Sequence, residues 1–260
     1  MKVIQHLFWL LWKLWFYLLV LVVILILSPF LLVSLSSEKT YKYFFIQARI
    51  WAFIVFYGTG FRKKQFTQYP FLSNESYMIT ANHTSMMDIM LMLVLVKNPF
   101  VFVGKAELAR WPIFGFFYKR ACILVDRSSK ISRQKTMIEA AKKLSNGLSV
   151  CIFPEGGVPD DPSIILDDFK DGAFRLAIDF QIPVASFTFI GLKKAFPFRF
   201  FAGYPAKIHV YQHPFVPTKG MNPQDKQTLK KDIRQKILQP LLQYQENPQH
   251  IQPDITQKVI

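Results

Sequence analysis

Histidine and aspartate stand five residues apart in Asn82-His83-Thr84-Ser85-Met86-Met87-Asp88, near a strand-to-helix junction, and suggest a general base with its orienting carboxylate. A neutral imidazole takes up a proton near neutral pH, and a carboxylate beside it fixes its tautomer. The spacing sets a condition. On one continuous helix the two side chains would lie roughly 140° apart and could not meet. They meet only if His83 precedes a helix, Asp88 sits in its first turn, and the chain folds back between them. A second reading needs no catalysis, because Ser85-x-x-Asp88 also has the form of a capping box. Both readings start a helix here, and these residues alone leave the choice open.

Three more stretches place charge at the ends of short apolar runs. Gly104-Lys105-Ala106-Glu107 follows 100–103, Val125-Asp126-Arg127-Ser128 follows 121–124, and Phe153-Pro154-Glu155-Gly156-Gly157 follows 149–152. Singly, each is an ordinary strand end meeting solvent. Together, Lys105 and Arg127 beside a His/Asp pair, with glycines that let backbone amides approach an anion, suit a phosphate-bearing substrate.

The elements that must position these residues are short strands alternating with helices, the pattern of an α/β domain. Strands are expected at 76–81, 100–103, 121–125, 149–153 and 182–190, with edge strands at 202–206 and 208–211. Helices are expected at 88–96, 107–119, 132–144, 169–180 and 223–245, with Gly147 as a stop after the third. The domain so predicted covers 61–246, and a tail from Asn247 to residue 260, rich in Gln and Pro, reads as loosely held.

Ahead of it, residues 14–37 carry no charge, long enough for a bilayer that needs roughly 20 apolar residues. Trp9, Trp12 and Trp15 cluster at its near end like an interfacial belt. A cleaved signal peptide fits poorly, since the apolar run is too long and no clean cleavage site follows. A second apolar segment, 43–57, contains Gln47 and Arg49, is too short to span comfortably, and suggests an interfacial or re-entrant helix. Residues 1–60 are therefore expected to anchor the chain to a membrane. Arg62, Lys63 and Lys64 favour a cytoplasmic domain, although lysines on both flanks of the first run leave spanning versus dipping open.

Composition agrees. The 260 residues are 51% hydrophobic with 26 Phe, and 32 Lys and Arg against 17 Asp and Glu give a net charge of +15. Such an excess favours an anionic partner. The basic residues are dispersed in pairs rather than gathered in a stripe, which points to membrane lipid and away from nucleic acid. Cys122 and Cys151 lie in apolar runs and read as reduced core thiols, consistent with a cytosolic face. His209 and His213 would share a strand face, but no carboxylate or cysteine stands nearby in sequence, so an ordinary strand is the better reading. The many phenylalanines could line an acyl groove, meet the membrane or fill a core.

The blocks NHTSMMD, GKAELARWPIFG, ILVDR and FPEGG, followed by IPVASFTFIG, resemble the glycerolipid acyltransferase family, nearest to bacterial 1-acylglycerol-3-phosphate acyltransferases. The resemblance runs from about residue 76 to 190, in the family's order and spacing. It implies a mixed, mostly parallel sheet flanked by helices, with a membrane-embedded N-terminal helical segment. It implies that His83 is the general base and Asp88 its orienting group. Lys105 and Arg127 would grip the acceptor's phosphate, while Glu155 and Gly156 shape the same pocket. Glu155 cannot itself pair with phosphate and would hold an arginine or a backbone amide, or contact glycerol hydroxyls. The implied partners are a lysophospholipid acceptor, an acyl-CoA or acyl carrier protein donor, and anionic lipid on the cytoplasmic face of the inner membrane. No metal or redox cofactor is implied. In one respect the chain departs from the family: Gly157-Val158 stand where Thr-Arg is usual, followed by Pro159-Asp160-Asp161. Either Lys105, Arg110, Arg127 or Lys170 compensates for the missing arginine, or the acceptor is less phosphate-like, as a lyso-ornithine lipid would be.

Overall fold

The computed structural model describes residues 2–159, 161 and 163–247, so the expected tail beyond Asn247 lies outside the described residues. In chain order the elements are helices α1 (Lys2–Ser34) and α2 (Tyr41–Gly58), strand β1 (Arg62–Thr67), β2 (Met78–Ala81), α3 (Met87–Leu95), β3 (Phe100–Lys105) and α4 (Phe114–Ala121). Then come β4 (Ile123–Val125), α5 (Lys130–Ser145), β5 (Ser149–Cys151), α6 (Gly172–Asp179), β6 (Val184–Ile190), α7 (Leu192–Ala195), β7 (Lys207–Gln212) and α8 (Lys226–Glu246).

The strands form one seven-stranded sheet in the order β1-β7-β6-β2-β5-β3-β4. Every neighbouring pair is parallel except β6 with β7. This is the mixed, mostly parallel sheet expected. Its middle strands are covered on both faces, which is why β2 and β6 are buried throughout and carry only apolar or small hydroxyl side chains. One face carries Ile79, Ala81, Phe187 and Phe189 against α2 and α3; the other carries Met78, Val150 and Val184 against α5, α6 and α8.

Three expectations need correction, and one strand was not foreseen. The helix foreseen over 107–119 is broken: Ala106–Arg110 is a short 3-10 turn, and α4 begins only at Phe114. Pro112 is the cause, because it holds Trp111 in an extended conformation (φ −69°, ψ 135°). Residues 202–206 form a loop rather than an edge strand, with the Tyr204 amide bonded to the Ala195 carbonyl. The basic run Arg62-Lys63-Lys64 lies in an edge strand, β1, that was not foreseen and is paired in parallel with β7. Finally, α2 does not simply lie on a bilayer. Phe45, Ala52, Val55 and Phe56 belong to the same core as the sheet, while Tyr43, Ile46, Ile50 and Phe53 face outward. Its polar residues turn inward: Gln47 accepts from Ser34 of α1, and the Arg49 guanidinium reaches the Leu93 carbonyl at the end of α3.

The first helix is held against the α/β domain at both ends. Near its start the Trp9 indole donates to the Gly203 carbonyl and Lys13 to the Pro197 carbonyl. Just past its other end Glu38 meets Lys143 and Asn146 of the α5 end. Trp12, Phe16, Val23, Ile24 and Leu31 form its buried stripe. From Leu7 onward the opposite face, including Leu7, Leu11, Leu18, Leu25, Ile26 and Phe30, is exposed and apolar.

Candidate active site

Strand order decides where chemistry is possible. Strands β2, β5, β3 and β4 are consecutive neighbours and all parallel, so the segments after them emerge along one edge of the sheet. That edge is where open α/β sheets build their sites. In order across it lie the stretches containing His83, Glu155, Lys105 and Arg127.

His83 precedes α3 and Asp88 is the second residue of that helix, so the chain turns back between them. The imidazole Nδ1 lies 2.9 Å from Asp88 Oδ2. The same oxygen accepts the backbone N–H groups of Thr84 (2.6 Å) and Ser85 (2.8 Å). The two readings of the sequence thus merge in part: the aspartate closes the helix start and orients the imidazole at once. Ser85 itself does not complete a capping box, because its hydroxyl accepts from Met87 N–H and donates to the Phe196 carbonyl. Asp88 is fully buried, whereas the His83 side chain is 16% exposed and lies flat on Phe153, centroids 4.3 Å apart. With Nδ1 engaged by the carboxylate, Nε2 is the nitrogen left to accept a proton.

Glu155 is 4% exposed, and backbone amides occupy both of its oxygens: His83 N–H at 2.6 Å and Asp167 N–H at 2.9 Å. Burial pushes its carboxyl up to about 7, against the pull of those two donors. Gly156 has φ +81°, a conformation that suits glycine, and an added Cβ would meet only the stem of Lys170. At Gly157 the geometry is tighter, since a Cβ there would come within 2.9 Å of Arg127 Nη1. The guanidinium of Arg127 therefore reaches back from β4, past β3, to the loop after β5, and the absence of a side chain at 157 makes room for it. Lys105 pairs with Glu107 at 2.7 Å, both half exposed, and Glu107 also lies in the electrostatic surroundings of Arg127. Asp161 and Glu155 both bear on Lys193, whose ammonium bonds the Ile164 carbonyl; Asp160 lies outside the described residues.

Two contributors were not singled out from sequence. Asn82 is fully buried and its amide pairs with both backbone groups of Phe189, at 2.9 and 2.7 Å, prolonging the β2–β6 ladder by one residue. Phe153 supplies the surface on which His83 rests. Their signals were position alone: one residue before the histidine, and one before the Pro-Glu-Gly turn.

Elsewhere, Cys122 and Cys151 are free, with the Cys122 thiol pushed up to about 12 by burial. His213 bonds Thr188 and His209 rests against Phe66. Among the described residues no group of three or more His, Cys, Asp or Glu could hold a metal.

A family model described as Acyltransferase matches residues 42–190. The chain is 27% identical over 194 residues to the 1-acyl-sn-glycerol-3-phosphate acyltransferase alpha of Ovis aries, an alignment covering 70% of this chain and 63% of that protein. Over 101 residues it is 31% identical to the lyso-ornithine lipid O-acyltransferase of Rhizobium meliloti, covering 38% of this chain and 33% of that one. The chain thus spans less than two thirds of the length of either relative. Its fold is that of the 1-acyl-sn-glycerophosphate (LPA) acyltransferase of Thermotoga maritima, with a TM-score of 0.76, 23% identity, and coverage of 94% of this chain and 98% of the other. With more than half of its residues matched by the family model, the chain belongs to the acyltransferase family, among the glycerolipid acyltransferases.

Proposed function

We propose that the protein transfers a fatty acyl chain from a thioester to the free sn-2 hydroxyl of 1-acylglycerol-3-phosphate, giving phosphatidic acid. The observation that carries this reading is the His83–Asp88 pair at the edge to which Arg127 reaches. The acceptor hydroxyl gives its proton to His83 Nε2 as its oxygen attacks the thioester carbonyl. The tetrahedral adduct collapses by breaking the C–S bond, and the thiolate takes the proton back from the imidazolium. Asp88 holds the tautomer and offsets the positive charge. A thiol leaves readily, so no acyl-enzyme is needed, and Cys151 lies buried in β5. Arg127 is assigned to the acceptor's phosphate, with Lys105 released from Glu107 as a second cation. Glu155 holds the loop bearing His83 rather than touching substrate, and Gly156 gives the loop after β5, which carries Glu155, its turn.

The donor is water-soluble, acyl-CoA or an acyl carrier protein, and the acceptor is a lipid. The reaction therefore belongs at the cytoplasmic face of the cell membrane. The exposed face of α1 supports attachment there. Because both ends of α1 are tied to one domain, we infer a helix lying in one leaflet rather than crossing the bilayer.

A second reading of the acceptor has support of its own. Gly157-Val158 remove the second arginine of the phosphate grip, and one relative is named for a lyso-ornithine lipid substrate. The experiment is acyl transfer by the purified full chain in detergent, with lysophosphatidic acid or lyso-ornithine lipid as acceptor and both thioester donors. Transfer to lysophosphatidic acid is expected, with a fall of about 100-fold or more in His83→Ala. Transfer to the aminolipid alone keeps the mechanism and replaces the acceptor. Folded protein inactive with every pair would make the chain a lipid-binding protein that has kept the fold, and wild-type turnover in His83→Ala would remove the base.

A further inference from the structure

A lysine buried in an apolar helix needs a reason, because an ammonium withdrawn from water without a carboxylate is costly. Lys13 of α1 is 3% exposed. Its Nζ donates to the Pro197 carbonyl at 3.0 Å and lies 3.5 Å from the centre of the Phe196 ring. Residues 196–204 run irregularly over the sheet end, so their carbonyls lack the partners a regular element would supply. A cation with three donors suits such a segment; an apolar side chain does not.

Phe196 joins this contact to the site. It is 1% exposed, with its ring against Trp12 (5.5 Å) and Phe16 (4.7 Å) of α1. Its carbonyl accepts the Ser85 hydroxyl at 2.7 Å. Ser85 in turn accepts Met87 N–H at the start of α3 and donates its own amide to Asp88 Oδ2. From Lys13 through Phe196 and Ser85 to Asp88, the chain of contacts passes only through buried residues.

We propose that Lys13 is a positioning residue for the reaction. Through Phe196 and Ser85, the membrane-facing helix holds the His83–Asp88 pair in its working orientation. The proposal rests on His83 and Asp88 acting as assigned above. It makes the seating of α1 something the active site feels, so that a helix out of place disturbs the proton acceptor without touching it.

The test is kcat and acceptor KM for the purified full chain in detergent, with lysophosphatidic acid and saturating acyl-CoA. Lys13→Met removes the ammonium and keeps the stem, Lys13→Arg restores a cation with donors, and Ser85→Ala cuts the far end of the link. Lys13→Met is expected to lower kcat about tenfold with little change in KM, and Lys13→Arg to recover most of the loss. The double variant Lys13→Met, Ser85→Ala should be no slower than the slower single variant, because both changes cut one chain. Losses that multiply in the double variant, or a lower melting temperature with kcat unmoved, overturn the proposal. Should Lys13→Met not yield folded protein, Ser85→Ala decides: wild-type kcat there overturns the link. An inactive His83→Ala beside an undisturbed Lys13→Met overturns the link alone, whereas an active His83→Ala overturns the base assignment with it.

Discussion

Asp88 concentrates three donors on one carboxylate oxygen, and Glu155 spreads two backbone amides over both of its own. The two buried acids therefore hold the same histidine from opposite sides, one by its ring and one by its backbone. For Glu155, burial, which outweighs the pull of those two amides, has a measurable consequence. Folded, the carboxyl sits at about 7; unfolded, it returns to its ordinary 4.5. The folded state thus keeps a proton that the unfolded state releases between those values. The stability so contributed is complete below 4.5 and lost as pH rises through 7. Against Glu155→Gln, which cannot titrate, the wild type should lose about 3 kcal/mol of relative stability across that window, read from unfolding curves in detergent. Parallel curves for the two proteins would show that the carboxyl is not buried as an acid.

Elements explain why parts of the molecule were readable in sequence and others were not. The central strands were legible because a strand covered on both faces is mostly apolar along its length, as β6 is apart from Ser186 and Thr188. The His83–Asp88 spacing was legible as a condition, since only a helix beginning between them lets the side chains meet. Strand β1 was not: Arg62-Lys63-Lys64-Gln65 has one free edge and an exposed alternation, so its charges resemble a linker. Pro112 was visible, but apolar spacing on either side of it masked the break. Asn82 carried no pattern at all, because a side chain that imitates a peptide leaves no periodic trace. Its importance belongs to this scale, where it extends the pairing of β2 with β6 up to the histidine. Asn82→Ala leaves both backbone groups of Phe189 unpartnered in the core and should cost about 2–4 kcal/mol, measured by chemical unfolding. Unchanged stability would mean that water replaces the amide.

At the scale of the whole molecule, the two helices that a hydropathy reading assigns to the membrane each give one side to the core. Phe45, Val55 and Phe56 of α2 complete the apolar face of the sheet, and α1 lies along the domain with its outer side bare. Single cysteines introduced as Val3→Cys and Ser36→Cys in membrane vesicles should both react with an impermeant thiol reagent from the side carrying the α/β domain. Labelling from opposite sides would mean that α1 crosses the bilayer.

On the proposed seating of α1 in one leaflet, its bare side also sets the arithmetic of turnover. A protein held in one leaflet meets its lipid acceptor by lateral diffusion, in two dimensions, and meets its soluble donor in three. The acceptor's effective concentration is then its mole fraction among neighbouring lipids, whatever the volume of the suspension. Inert lipid added at constant acceptor and donor would slow the enzyme by surface dilution, as though the substrate had been taken away.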